Sequence, residues 1–244
     1  MPGTSNVVVV AGGNEQGDRS DQLNAVSSVV VDKNGTMFIC DYQNRRVQQW
    51  FKDDNQGQTI ISDINCFGLA MDNEGSLYIS DLDRYRVIKW PSGQTVAGKN
   101  GQGTALNQLE SPWHIFVDQN QTVFVADILS GRVVKWPLGA KEGILVAGGS
   151  EDPMDQVQSP SSVFVDKMGT VYILEYGDRG VIRWFKGIGN GSIIIGGLVD
   201  GMEVAHYDLA LDRHGNLYVA DGGGDRIQMF AIDKSSCSTC GFYK

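Results

Sequence analysis

The chain has 244 residues, a formal net charge of −9 and a hydrophobic content of 41%. That content is enough for a core, and a chain of this length can form one or two domains. No apolar run reaches the ~18 residues of a membrane span, and no charged segment followed by an apolar one, as in a signal peptide, opens the chain. The acidic balance argues against a nucleic-acid-binding protein, which needs a basic surface.

One spacing occurs five times along the chain: a carboxylate, a second carboxylate nine positions later, and a large aromatic residue nine positions after that. The first carboxylates are 40, 46, 48 and 46 positions apart, which is about the length of one propeller blade. The five sets are Asp32/Asp41/Trp50, Asp72/Asp81/Trp90, Asp118/Asp127/Trp136, Asp166/Glu175/Trp184 and Asp212/Asp221/Phe230.

Each repeat predicts four strands, which we call a to d in chain order. An apolar run before the first carboxylate predicts strand a, and Asp-x-x-Gly then predicts a tight turn, with Gln121 in place of Gly in the third repeat. The alternating segment up to the second carboxylate predicts strand b. Strand c ends at the aromatic residue, and a short apolar run predicts strand d. No segment keeps a helical period.

The N-terminus supplies the strand that the last repeat lacks. Five a–b–c sets are followed by only four d strands, and VVVVAGG at residues 7–13 matches ILVAGG at residues 144–149. We therefore predict an all-β, five-bladed β-propeller of four-stranded antiparallel blades, monomeric, with the N-terminal strand closing the last blade. The propeller covers residues 1–233, and a Cys-containing tail covers residues 234–244.

The motifs from residue 7 to residue 232 resemble the NHL-repeat family, whose blades follow a pattern like "giavD..Gn.yvaD..nhRi..f". The resemblance extends to the NHL domains of TRIM-NHL proteins and, at the level of the fold, to peptidyl-amidoglycolate lyases. It implies a propeller that presents loops to partners. Better-known NHL propellers have six blades, so five blades depart from the family pattern.

The most repeated polar feature is a carboxylate at the end of strand b with an arginine five positions later, as in Asp127 and Arg132. The two residues of such a pair face each other across the b–c hairpin, and a guanidinium group can form a paired hydrogen bond with a carboxylate. We therefore interpret these pairs as structural. The fourth repeat departs from the pattern, with Glu175 for Asp and Gly180 for Arg.

The candidate binding residues lie where the repeats disagree, because such positions are not required by the fold. The two positions that open strand a carry serines in two repeats and distinct residues in the others. With two tyrosines from nearby b–c loops, the candidates are Phe67, Trp113, His114, Tyr207, Asp208, Tyr42 and Tyr176. This set predicts a non-enzymatic module that binds a protein or a small ligand.

An enzymatic alternative remains open. His114, His206 and Asp208 near the starts of a strands could hold a metal, as histidines at the channel mouth do in the peptidyl-amidoglycolate lyases that the repeats resemble. The alternative function is a metal-dependent lyase or hydrolase. The same histidines are equally well explained as surface residues that bind no metal. No catalytic residue, metal or cofactor is therefore assigned.

Loop charge predicts which face binds. The d–a and b–c loops emerge together on a face that we call the top face, and they carry about two thirds of the acidic residues but under half of the basic ones. We expect a partner to contact this face, including the loops around Glu151–Asp155 and Asp200–Glu203.

Cysteines and sequons bear on the compartment. Cys40 and Cys66 are expected to be small core residues rather than part of a disulfide framework, and Cys237 with Cys240 form only half of a zinc site. N-x-S/T sequons at Asn34, Asn120 and Asn190 favour an extracellular protein. Turns are rich in asparagine in any case, so the compartment stays open.

Overall fold

The computed structural model describes residues 8–149, 157–176, 180–185, 191–196, 206–212, 214–221 and 226–231. The fold is an all-β, five-bladed β-propeller of four-stranded antiparallel sheets, as the repeats predict. The chain forms two compact units, Met1–Gln158 and Ser159–Lys244. Among the described residues, no helix is long and apolar enough to cross a bilayer.

The first unit contains blades 1, 2 and 3. Within each blade consecutive strands pair antiparallel, in the order a–b–c–d. The strands are β1 Val26–Val31, β2 Met37–Asp41, β3 Arg46–Trp50 and β4 Gln58–Ser62 in blade 1; β5 Cys66–Met71, β6 Leu77–Asp81, β7 Arg86–Trp90 and β8 Gln94–Ala97 in blade 2; and β9 Pro112–Val117, β10 Val123–Asp127, β11 Arg132–Trp136 and β12 Ile144–Gly148 in blade 3.

The second unit contains blades 4 and 5 with the same strand pattern. Blade 5 has three strands among the described residues. The strands are β13 Pro160–Val165, β14 Val171–Glu175, β15 Val181–Trp184 and β16 Ser192–Ile195 in blade 4, and β17 His206–Leu211, β18 Leu217–Asp221 and β19 Arg226–Phe230 in blade 5.

The fourth strand of blade 5 stays a prediction. Residues 8–10 carry no strand assignment and their side chains are exposed. Residue 7 lies outside the described residues, and the predicted partner strand β19 belongs to the other unit. The Cys-containing tail at residues 234–244 also lies outside them, so the boundary at residue 233 stays a prediction as well.

The hydrophobic cores lie between adjacent sheets, because one blade has two faces and cannot cover either alone. One core lies between blades 1 and 2, a second between blades 2 and 3, and a third between blades 4 and 5. Trp50 and Trp136 at the ends of the c strands are buried, at 1% and 2% exposure. A Cβ on Gly143 would lie 2.9 Å from the Trp136 ring, so the c–d turn of blade 3 needs a residue without one.

The first strands of successive blades contact each other within each unit, β1 with β5, β5 with β9, and β13 with β17. The approach of β5 and β9 is close. A Cβ on Gly68 would lie 2.6 Å from the carbonyl oxygen of Trp113, so only glycine fits there. The residues that open these strands are thereby held next to one another.

Candidate functional site

The residues that open strands β5 and β9 form an aromatic group with the loop after β2. The rings of Phe67 and Trp113 are stacked, with centroids 4.6 Å apart and planes at 28°. Tyr42, in a short 3₁₀ turn that follows β2, meets the Phe67 ring edge-on at 6.1 Å. Three rings from three successive blades therefore form one contiguous group, which we call the aromatic cluster.

His114 lies beside this cluster and is buried. Its ring packs edge-on against Phe67 at 5.5 Å, and 6% of the residue is exposed. Tyr42, Phe67 and Trp113 are each half-buried. The arrangement offers aromatic faces and edges to a ligand, with the imidazole on the inner side.

Hydroxyl groups from neighbouring strands hold the backbone under the aromatic cluster. Ser27, which occupies the repeat position of Phe67 in blade 1, donates to the Phe67 carbonyl at 2.8 Å. Ser80 on β6 donates to the Trp113 carbonyl at 2.7 Å and accepts the Gly68 N–H at 2.8 Å. Ser27 and Ser80 therefore join neighbouring blades through the backbone of the aromatic residues.

Cys40 and Cys66 form a disulfide close in sequence to two residues of the aromatic cluster, and the expectation of two separate core cysteines was wrong. The Cα atoms are 5.8 Å apart and both residues are fully buried. Cys40 is near the end of β2 and Cys66 opens β5, so the bond joins blades 1 and 2. Its two segments continue into Tyr42 and Phe67.

The carboxylate–arginine pairs are structural in this unit, as predicted. Asp127 is fully buried and accepts Arg132 Nε at 3.1 Å, the Ser130 hydroxyl at 2.9 Å and the Ser111 N–H at 2.7 Å. Asp41 accepts Arg46 Nε at 2.7 Å. The strand register places Asp127 opposite Arg132 and Asp41 opposite Arg46, as it does in the other blades that keep both residues.

Arg46 and Arg132 also cap a loop that occurs before blade 1 and again before blade 3, outside the predicted strands. Arg46 donates to the carbonyls of Asp18, Arg19 and Gln22. Arg132 donates to the equivalent carbonyls of Thr104, Ala105 and Gln108. The signal was an N-x-Q-G-x₄-Q-L motif at residues 14–23 and 100–109, whose Gln and Leu residues form parallel bridges in both copies.

Blade 2 lacks this loop, which explains the short first repeat of 40 positions. Only three residues separate β4 from β5. Arg86 is consequently more exposed than Arg132, with side chains at 31% and 5%. Within the described part of the chain, Asp81 Oδ1 is buried without a hydrogen-bond partner.

Where blades 1 and 3 are preceded by the capped loop, blade 2 has an exposed ion-pair network near the aromatic cluster. Arg45 contacts Asp83 at 2.7 Å and Asp63 at 3.2 Å, and Arg84 contacts Asp63 at 3.0 Å. Hydrogen bonds from Arg45 and Arg84 lower the pKa of Asp63, and hydrogen bonds from Asn65 and Arg45 lower that of Asp83. These four charges balance, so the acidic loop charge counted from the sequence is partly neutralised here.

The candidates of the second unit are described separately. Asp208 accepts the Ser162 hydroxyl at 2.7 Å, which joins β17 to β13, and Tyr176 is exposed after β14. His206 and Tyr207 lie on β17, but their side chains are outside the described part of the structure. The candidate loops at residues 151–155 and 200–203 are outside it too.

The metal hypothesis gains no support from the described residues. Among them, no three His, Cys, Asp or Glu side chains come together as a metal site. His114 is in one unit while His206 and Asp208 are in the other, and the His206 side chain is not described. We therefore derive no chemical step through a metal.

Solved structures of low sequence identity share the fold. A putative gluconolactonase has a TM-score of 0.65 and 15% identity over 91% of this chain and 80% of its own. A chain of a nidogen/laminin complex has a TM-score of 0.65 and 15% identity over 85% and 76%. Virginiamycin B lyase from Staphylococcus aureus has a TM-score of 0.62 and 10% identity over 89% and 73%.

No protein-family model matches the chain, and no curated protein matches its sequence. Identities of 10 to 15% support the fold alone. The chain is therefore similar to β-propeller proteins, and membership of the NHL-repeat family stays a prediction.

Proposed function

We propose that the protein is a binding module, which uses the aromatic cluster of Tyr42, Phe67 and Trp113 to hold a protein or small-molecule ligand. The observation that carries the proposal is the stacking of Phe67 on Trp113. The other described residues at this repeat position, Ser27 and Ser161, carry hydroxyls that bond the backbone. The blades therefore accommodate serine at this position, so the fold does not require an aromatic ring there.

The chemistry of the cluster suits a ligand with an apolar or cationic face. Aromatic rings give a large contact area and attract cations at their faces. Aromatic anchors also dominate the free energy of many protein interfaces. The chain's net charge of −9 adds long-range attraction for a cationic partner.

Fold-level similarity does not choose between binding and catalysis. Two of the similar structures bear enzyme names and one is a complex of two proteins. The lyase or hydrolase alternative would use His114, the buried imidazole beside Phe67. Elemental analysis of untagged protein discriminates the two, since a stoichiometric metal that is lost in His114→Ala would favour the enzyme.

The chain itself offers the variants that test the binding proposal. Phe67→Ser and Trp113→Ser introduce the residue that blades 1 and 4 already carry at the same repeat position, so the fold tolerates it. The probe is a mixed array of peptides and glycans. Phe51→Ala, which removes an exposed ring after β3, is the matched control.

We expect array signals that the wild type and Phe51→Ala share and that both serine variants lose. Thermal unfolding of all four proteins checks that the serine variants are folded. Array signals that are unchanged in folded Phe67→Ser and Trp113→Ser would exclude the aromatic cluster as the binding site.

A further inference from the structure

The buried disulfide indicates the environment in which the chain folds. Cys40 and Cys66 are both fully buried and bonded across blades 1 and 2. Disulfides of this structural kind form in oxidising compartments and are rare in the reducing cytosol. The bond forms as two thiols lose two protons and two electrons to a thiol oxidant, which is a disulfide-exchange catalyst in the secretory pathway.

Two of the three sequons lie in turns whose geometry can be compared across blades. In the turn after β1, the Asp32 carboxylate accepts the N–H groups of Asn34 and Thr36, each at 2.8 Å. In the turn after β9, the Asp118 carboxylate accepts those of Asn120 and Thr122, each at 2.8 Å. Both asparagines are exposed, at the tip of the turn.

The fold does not require asparagine at the third position of this turn. The five blades carry Asn34, Glu74, Asn120, Met168 and His214 there, all exposed. What the turn uses is the first carboxylate and the backbone N–H groups, which every one of these residues provides. The Asn34 carboxamide adds a long hydrogen bond of 3.4 Å to Asp32 that the other blades replace, so the turn requires neither asparagine.

We propose that Asn34 and Asn120 are N-glycan acceptors, and that the chain matures in the oxidising compartment in which such glycans are added. Each turn follows the end of an a strand, whereas Phe67 and Trp113 lie at the starts of a strands and Tyr42 follows the end of a b strand. Glycans on these turns therefore occupy the ends of the strands opposite the aromatic cluster and leave it open.

The transfer is a substitution at the anomeric carbon of a lipid-pyrophosphate-linked oligosaccharide, catalysed by an oligosaccharyltransferase. The carboxamide nitrogen of Asn34 or Asn120 forms the new C–N bond and loses a proton. The glycosyl C–O bond breaks, and the lipid pyrophosphate leaves. Transfer to the unfolded chain makes the burial of Thr36 in the folded turn no obstacle.

The experiment is secretion of the chain from eukaryotic cells behind an added signal sequence, with peptide mapping after enzymatic deglycosylation. Removal of the glycan by the amidase converts a modified asparagine to aspartate, which reports each position separately. We expect conversion at Asn34 and Asn120, loss of one conversion each in Asn34→Gln and Asn120→Gln, and no thiol labelling of Cys40 or Cys66 under denaturing conditions.

Glu74→Asn is the matched positive control, because it creates Asn-Gly-Ser in the equivalent exposed turn of blade 2. Unmodified Asn34 and Asn120 overturn the proposal, whether position 74 is modified or not. Labelled Cys40 and Cys66 thiols in the secreted protein also overturn it. The result is independent of ligand binding, since neither asparagine belongs to the aromatic cluster.

Discussion

Cys40 and Cys66 form a disulfide, and each cysteine is followed closely by an aromatic residue of the candidate site. Tyr42 lies two residues after Cys40, and Phe67 lies one residue after Cys66. The bond joins the same two blades whose rings meet edge-on. A covalent link so close to the ring pair restricts the relative movement of blades 1 and 2 there. The disulfide therefore supports both the stability of the unit and the geometry of the site.

The first prediction concerns this bond. Cys40→Ala/Cys66→Ala should lower the free energy of unfolding by about 3 kcal/mol, because the disulfide closes a loop of 26 residues in the unfolded chain. Blade 3 already has Ala126 at the position of Cys40, so alanine fits the strand. Urea unfolding measures the change.

Reductant provides the control for this prediction. It should lower the stability of the wild type to that of the double variant and leave the double variant unchanged. Equal midpoints of the two proteins without reductant would mean that the bond does not constrain the unfolded chain.

The second prediction compares two arginines in the same repeat position. Arg132→Ala should cost about 2–4 kcal/mol, since it removes the charged partner of a fully buried carboxylate and the donor to several loop carbonyls. Arg86→Ala should cost about 1 kcal/mol, because its side chain is 31% exposed and no loop covers it. Thermal or urea unfolding of both variants gives the comparison.

Neither substitution should change ligand binding, because both arginines serve the hairpins rather than the aromatic cluster. Loss of binding with an unchanged unfolding midpoint in Arg132→Ala would show that the pair belongs to a site. Equal costs at both positions would show that the loop cap contributes nothing.

The sequence was sufficient for the features that lie within one repeat. The period of two in strand b, the Asp-x-x-Gly turn and the spacing of Asp127 from Arg132 are local, and the structure confirms each. Phe67 and Trp113 were chosen as candidates because they stand where the repeats disagree, and their role in binding stays a prediction. Their stacking follows from the contact of β5 with β9, which the repeat order implies.

The features that were missed lie between repeats. Cys40 is the penultimate residue of one strand and Cys66 opens another in the next blade, so their non-equivalent repeat positions concealed the pairing. The balance of charge around Arg45 and Asp63 likewise depends on contacts between loops of two blades. The loop motif at residues 14–23 and 100–109 was visible, but it lies outside the strands that defined the repeat.

The third prediction concerns acid stability and rests on a network of blade 2. The Asp72 carboxylate accepts Lys89 Nζ at 3.0 Å and the Tyr78 hydroxyl at 3.1 Å. Burial alone would raise the pKa of Asp72, but hydrogen bonds from Ser76 and Lys89 outweigh it and the pKa is lowered from 3.8. A lowered pKa contributes stability that is present above the unfolded value and lost as pH falls through the folded value.

Lys89→Met removes one cause of the lowered pKa. Asp72 should then take up its proton at higher pH, so the acid-induced loss of stability begins earlier as the pH is lowered. Urea midpoints of the variant and the wild type across the acid range measure this shift. Lys135→Met is the matched control, since Lys135 holds the same repeat position and lies over the Phe124 ring instead of a carboxylate. An identical acid profile in both variants would contradict the role of Lys89.

The last prediction concerns the accessibility of Trp113 and the salt dependence of binding. Trp113, Trp90 and Trp184 are half-buried whereas Trp50 and Trp136 are buried. Trp113→Ser should therefore reduce, but not abolish, the fraction of tryptophan fluorescence that acrylamide quenches. A bound ligand should protect the same fraction in the wild type. Association with a cationic partner should slow as salt rises, because exposed charges are screened over about 8 Å at physiological ionic strength. Quenching that is unchanged in Trp113→Ser, or association that is indifferent to both salt and Trp113, would place the binding surface elsewhere on the protein.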